Sequence, residues 1–134
     1  MKIQSKRIMN KICTSYEQSQ SLLALGLDPN TADMKYDPRW DIPVIISEDD
    51  YDNHLNYCPE SENTDIPAWS LSALLELIPD ELQDNHFLTL EKEKDEYCCC
   101  FEDINGNTFN HFFGNNAIDA TFEMMCWLLD SRKL

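Results

Sequence analysis

Glycine is nearly missing from this chain. Its three copies, Gly26, Gly106 and Gly114, stand far apart, so no glycine-rich loop is available to cradle a phosphate or a dinucleotide. No serine sits in a G-x-S-x-G elbow, which removes a common hydrolase nucleophile. The six cysteines include no C-x-x-C pair, the spacing that structural zinc sites and thioredoxin-like motifs use. No apolar run approaches the roughly 18–20 residues that cross a bilayer. The opening MKIQSKRIMNKIC is charged but lacks an apolar core and a small-residue cleavage site, so it does not read as a secretory signal. A cytoplasmic protein with reduced thiols is the expectation.

Basic residues are the other scarcity. Lys and Arg number 10 against 25 Asp and Glu, a net charge of −15. Lys2, Lys6, Arg7 and Lys11 open the chain, and Arg132 and Lys133 close it. Between them only Lys35, Arg39, Lys92 and Lys94 oppose all the acids. Such a surface repels phosphate backbones, so direct nucleic-acid binding is not expected. It serves either solubility alone or attraction of a basic protein partner.

What is present suits one domain over residues 1–134. The hydrophobic share of 43% supports a real core. Residues 1–13 read as a loosely ordered lead-in. Thr14 and Glu17 have the spacing of a capping box, and Gly26 followed by Asp28-Pro29 supplies a stop, which predicts a helix over about 15–25. Thr31 to Met34 reads as a short helical turn. Pro43 at the head of Ile42–Ile46 predicts an edge strand. Residues 47–65 read as an exposed acidic loop. Ser70 as N-cap, with Leu71, Leu74, Leu75 and Ile78 at helical spacing, predicts a helix over about 70–78.

From residue 87 the period changes to two. FLTLEKE, EYCCCFEDI and NTFNHFF form a three-stranded antiparallel meander at about 87–113, with Asn105-Gly106 as a type I′ turn. Asn116 caps a C-terminal amphipathic helix over about 117–131, whose Ile118, Phe122, Met125 and Leu129 make one face. The fold class is α+β, three main helices packed on a small antiparallel sheet.

TSYEQSQSLLALGLDPNTADM (14–34), IPAWSLSALLELIP (66–79) and the stretch at 116–134 together resemble a family of small acidic proteins of Bacteroides-type bacteria and their mobile elements. The Pro-Ala-Trp-Ser-Leu-Ser-Ala-Leu-Leu run is the most specific part. The resemblance implies an intracellular accessory product. It transfers no activity, cofactor or catalytic residue.

Three clusters invite chemistry. The run Cys98-Cys99-Cys100 lies in a strand, where alternation sends Cys98 and Cys100 to one face and Cys99, with Tyr97 and Phe101, to the other. Three thiols so divided do not converge on one zinc ion, and free cysteine packs as a small hydrophobe. The expectation is therefore a packed, unbridged run. Asp50, Asp52 and His54 alternate in EDDYDNH, but an EF-hand started at Asp50 finds Leu55 at its sixth position and Ser61 at its twelfth. The turn beginning at Asp103 fails the same test, with Thr108 and Gly114 there. His111 between phenylalanines reads as structural. No catalytic, metal or cofactor residue is assigned.

Surface recognition remains. Trp40, Tyr51 and Tyr57 are aromatic residues in acidic company, beside Asp49, Asp50 and Asp52, a combination that can anchor a basic protein. The favoured reading is a non-catalytic interaction protein, with Trp40, Asp49, Asp50, Tyr51, Asp52 and Tyr57 as partner-binding candidates. The alternatives are an acidic DNA mimic that inhibits a nucleic-acid-binding protein, and a metal protein built on the cysteines or the acid cluster.

Overall fold

The computed structural model describes residues 11–40, 42–47, 54–83 and 85–134. The first helix, α1 (Tyr16–Ala24), is capped by Ser15, whose hydroxyl accepts from the Gln18 amide while the Gln18 side chain accepts from the Ser15 amide. The capping box thus sits one residue beyond the Thr14–Glu17 expectation. The reason is tertiary. Thr14 is fully buried, and its hydroxyl already shares a 2.8 Å hydrogen bond with Ser19 and accepts from the Trp69 amide. At the other end Gly26, at φ 100°, donates to Leu23 and Leu27 donates to Leu22. This is the left-handed stop that glycine allows, closed by the buried pair Leu22 and Leu27.

The helical turn expected at 31–34 is replaced by a 3₁₀ turn at Pro29–Thr31, capped by Asp28, and then a strand, β1 (Met34–Tyr36). β2 (Val44–Ile45) and β3 (Ile66–Ala68) flank it in an antiparallel sheet of order β2-β1-β3. β2 is the expected edge strand, with Pro43 just before it. The chain leaves β3 through the fully buried Trp69, whose indole N–H donates to Thr31 Oγ1 at 2.9 Å. Ser70 then caps α2 (Leu71–Leu77), and the Asp33 carboxylate receives both the amide and hydroxyl of Ser70.

β4 (Glu81–Leu82), β5 (His86–Glu93), β6 (Glu96–Glu102) and β7 (Thr108–Gly114) form a second antiparallel sheet in sequence order. The predicted meander is its last three strands. The fold is therefore mixed α+β with two sheets rather than one. The β6–β7 turn also differs from the expected type I′. Gly106 donates to the Asp103 carbonyl and takes φ 84°, while Asn105 has no positive φ. The Asp103 carboxylate accepts from the amides of Asn105 and Asn107, which stabilises a type I turn closed by a glycine bulge. A second bulge sets Asn110, at φ 51°, and His111 against Cys100.

α3 (Ala117–Asp130) begins at its expected cap, Asn116. Its buried line is Ile118, Thr121, Met124, Met125 and Leu128, so Phe122 and Leu129 flank the face they were expected to centre. α3 packs on β5, β6 and β7 and on α1 and α2. Gly114 makes this approach possible, because a Cβ there would lie 2.7 Å from the Ala120 amide nitrogen. One apolar core joins Leu22, Trp69, Leu74, Phe101, Met124 and Leu128 across all three helices and the larger sheet. The smaller sheet has its own minor cluster of Cys13, Met34 and Ala68, with Tyr36 against it. Among the described residues no helix is long and apolar enough to cross a membrane.

Candidate functional site

The cysteine run is packing. Cys99 and Phe101 are fully buried in the core under α3, and Cys100 is 4% exposed. Cys98 is half-buried, and all six cysteines are free thiols. Strand parity divides them as expected. Burial pushes the Cys99 thiol up to about 11 and that of Cys100 to about 12. Burial likewise raises Cys13, Cys98 and, to about 11, Cys126. A nucleophilic thiol needs the opposite shift. Thr121 Oγ1, buried opposite Cys99, has no conventional hydrogen-bond partner; the thiol, a weak sulfur partner, is the polar group beside it.

The most charged concavity lies elsewhere, between β1 and residues 54–65. Lys35 points inward from β1 and is 2% exposed. Its ammonium donates to Asp65 Oδ2 at 3.0 Å and to the His54 carbonyl at 2.7 Å. Asp65, equally withdrawn from water, also accepts from the Asn56 amide at 2.8 Å. Just past the end of β1, the buried Asp37 accepts from the Arg39 amide at 2.9 Å and from its guanidinium at 2.7 Å. Those Arg39 hydrogen bonds, side chain first, hold the Asp37 carboxyl down at about 2. These groups line a cavity of about 580 Å³.

Each charge here is matched by a charge of opposite sign, and the carboxylates accept backbone amides as well. The Lys35–Asp65 pair fastens residues 54–65 to β1, and the Asp37–Arg39 pair closes the turn that follows β1. Residues 54–65 carry no helix or strand, yet the Asp65 amide donates to the Asn56 carbonyl and the Ser61 amide to that of Cys58. Thr64 Oγ1 accepts from the Cys58 amide. The segment is folded onto itself around Asp65.

On the same hairpin three apolar side chains face water. Trp40 is 60% exposed at the end of the Asp37 turn, where its amide donates to the Asp37 carbonyl at 2.9 Å. Ile42 is 68% exposed and Ile45, on β2, 67%. Of the sequence candidates, then, Trp40 is a surface aromatic and Tyr57 is half-buried in the tied segment. Asp49, Asp50, Tyr51 and Asp52 lie outside the described residues.

Sequence reasoning missed the Lys35–Asp65 and Asp37–Arg39 pairs. One signal was available: Lys35 and Arg39 are the only bases in a long acidic stretch. Sequence reasoning also passed over the exposure of Ile42 and Ile45, which were read only as strand residues. Among the described residues no group of three or more His, Cys, Asp or Glu gathers as a metal site. No family model, curated protein or solved structure matches the chain.

Proposed function

We propose that this chain is a non-catalytic protein-interaction module whose β1–β2 hairpin contacts a basic protein partner. The observation that carries this reading is the exposure of Trp40, Ile42 and Ile45 on one hairpin. The flanking segment 47–65 holds seven acids. Apolar anchors give affinity, and a surrounding field of one sign selects and steers a partner of the other. The pair Lys35–Asp65 supports the reading by holding residues 54–65 against β1, and Asp37–Arg39 by closing the turn that carries Trp40. The raised thiols agree with a protein whose cysteines serve packing. The setting, an accessory product of a mobile element, is what the family resemblance contributes.

The test is affinity capture with the wild type beside Trp40→Ala/Ile42→Ser. A basic protein should be retained by the wild type, released by salt, and lost from the variant. Equal capture by both, or capture insensitive to salt, contradicts the hairpin as the contact.

A further inference from the structure

A second surface follows from the strand register of the larger sheet. α3 covers the face that carries Cys99 and Phe101, members of the core cluster, and Leu88, Leu90 and Phe112, which pack against it. The opposite face carries Phe87, Thr89, Cys98, Cys100 and Phe113, aligned through Thr89↔Cys100, Glu91↔Cys98, Phe87↔Glu102 and Cys98↔Phe113. None of these belongs to the core cluster. Phe87 is 50% and Phe113 55% exposed. An antiparallel sheet that meets water on one side ordinarily alternates to polar residues there. This one keeps Phe87, Phe113 and the half-buried Cys98, while Cys100 on the same side is only 4% exposed.

The border of that face is acidic. Glu91 and Glu93 on β5, Glu96 and Glu102 on β6, and Glu81 opposite Phe87 all have the outward parity. The register places no Lys or Arg among them. Lys92 has the inward parity and lies 5.9 Å from the Tyr97 ring. At one end Glu93, Asp95, Glu96, Cys98 and Phe113 line a recess of about 360 Å³ together with Lys94, the one base in its lining, against three acids. A second copy of this chain would bring the same glutamates face to face. The charge fits the opposite kind of occupant.

We infer that this open face receives a basic amphipathic helix from a partner protein. Its apolar stripe covers Phe87, Cys98 and Phe113, and its Lys and Arg side chains reach the flanking glutamates. The helix completes a third layer, with the sheet between it and α3. The surface is separate from the Trp40 hairpin and does not depend on it.

The probe is a synthetic amphipathic helix of Leu and Lys, with a Leu and Glu peptide of the same pattern as its twin. The readout is the rate of Cys98 alkylation in the full chain, with the exposed Cys58 as internal reference. The Lys peptide should slow Cys98 at least about tenfold, leave Cys58 unchanged, and lose its effect in salt; the Glu twin should do nothing. Phe87→Ser/Phe113→Ser, at exposed positions that leave the core intact, should abolish the protection, and Trp40→Ala should leave it in place. An unprotected Cys98, or equal protection of Cys58, overturns the inference. So does protection already present in the free protein, if it is lost on Lys2, Lys6 and Arg7→Gln or on dilution. Those two results assign the face to the chain's own basic residues or to a second copy.

Discussion

The two sheets of this protein are held by different physics. The larger sheet has strands of seven or eight residues in its meander and packs Cys99 and Phe101 under α3. Its stabilisation scales with buried apolar volume. The smaller sheet has strands of two or three residues and only a minor apolar cluster. Polar ties do the corresponding work there: Lys35 to Asp65, Asp33 to Ser70, and Tyr36, whose hydroxyl donates to the Thr14 carbonyl at 2.7 Å. A short strand cannot bury enough surface to hold itself, so its position is set by a few directional bonds whose loss leaves buried groups unsatisfied.

The largest effects should come from one residue in each sheet. Phe101→Ala removes a fully buried ring and should cost about 3–5 kcal/mol in urea unfolding, with no single second substitution restoring it. Asp65→Ala strands the Lys35 charge and should also cost about 3–5 kcal/mol. Here the double variant Lys35→Met/Asp65→Leu should recover most of the loss, because an apolar pair of similar volume needs no partner. Failure of that recovery would mean that the small sheet depends on the charges themselves.

A smaller effect tests the seam between the larger sheet and its helix. Gly114→Ala places a Cβ against the backbone of α3 and should cost about 1–3 kcal/mol through displacement of the helix start. A neutral result would show that α3 shifts freely on the sheet. Beside Gly114, Lys11 donates to Asp119 at 2.6 Å. Burial pushes the Asp119 carboxyl up, but hydrogen bonds from Lys11, Gln18 and Asn116 outweigh it and leave it below its ordinary value.

Acid separates the sheets more gently. The Asp37 carboxyl is held down at about 2 in the folded chain against about 3.9 for a free aspartate. A lowered folded value stabilises the protein above the free value and loses that contribution as pH falls towards about 2. Between pH 4 and 2, Arg39→Gln should therefore flatten the loss of stability relative to wild type. An identical acid limb in both proteins would remove the pair from the account. The smallest effect is a gain: Arg132, at φ 56° as α3 ends, when replaced by glycine should raise stability by up to about 1 kcal/mol.

The same contrast explains what the sequence revealed. Periodicity needs length, so the meander and α3 were legible, α3 to within a residue at either end. Ser70 was legible as a cap because its side chain acts locally, on Ala73. β1, β3 and β4 are too short to carry a period. Thr14 looked like a cap because its partners, Ser19 and the distant Trp69, decide otherwise. Lys35 and Asp65 lie 30 residues apart, and nothing in the intervening composition pairs them. Trp40 was singled out because an aromatic among acids is conspicuous, and the structure shows it exposed. Ile42 and Ile45 were not, because β-branched residues beside a proline describe a strand equally well.

The central claim is that Cys98-Cys99-Cys100 is a strand packed into the fold and not a reactive site. Residue-resolved alkylation of the six thiols in the native chain tests this most directly. Exposed Cys58 should react first and half-buried Cys98 next, while Cys99 and Cys100 should react only as the fold opens. Modification of Cys99 or Cys100 as fast as Cys58, in protein that stays folded, would contradict it.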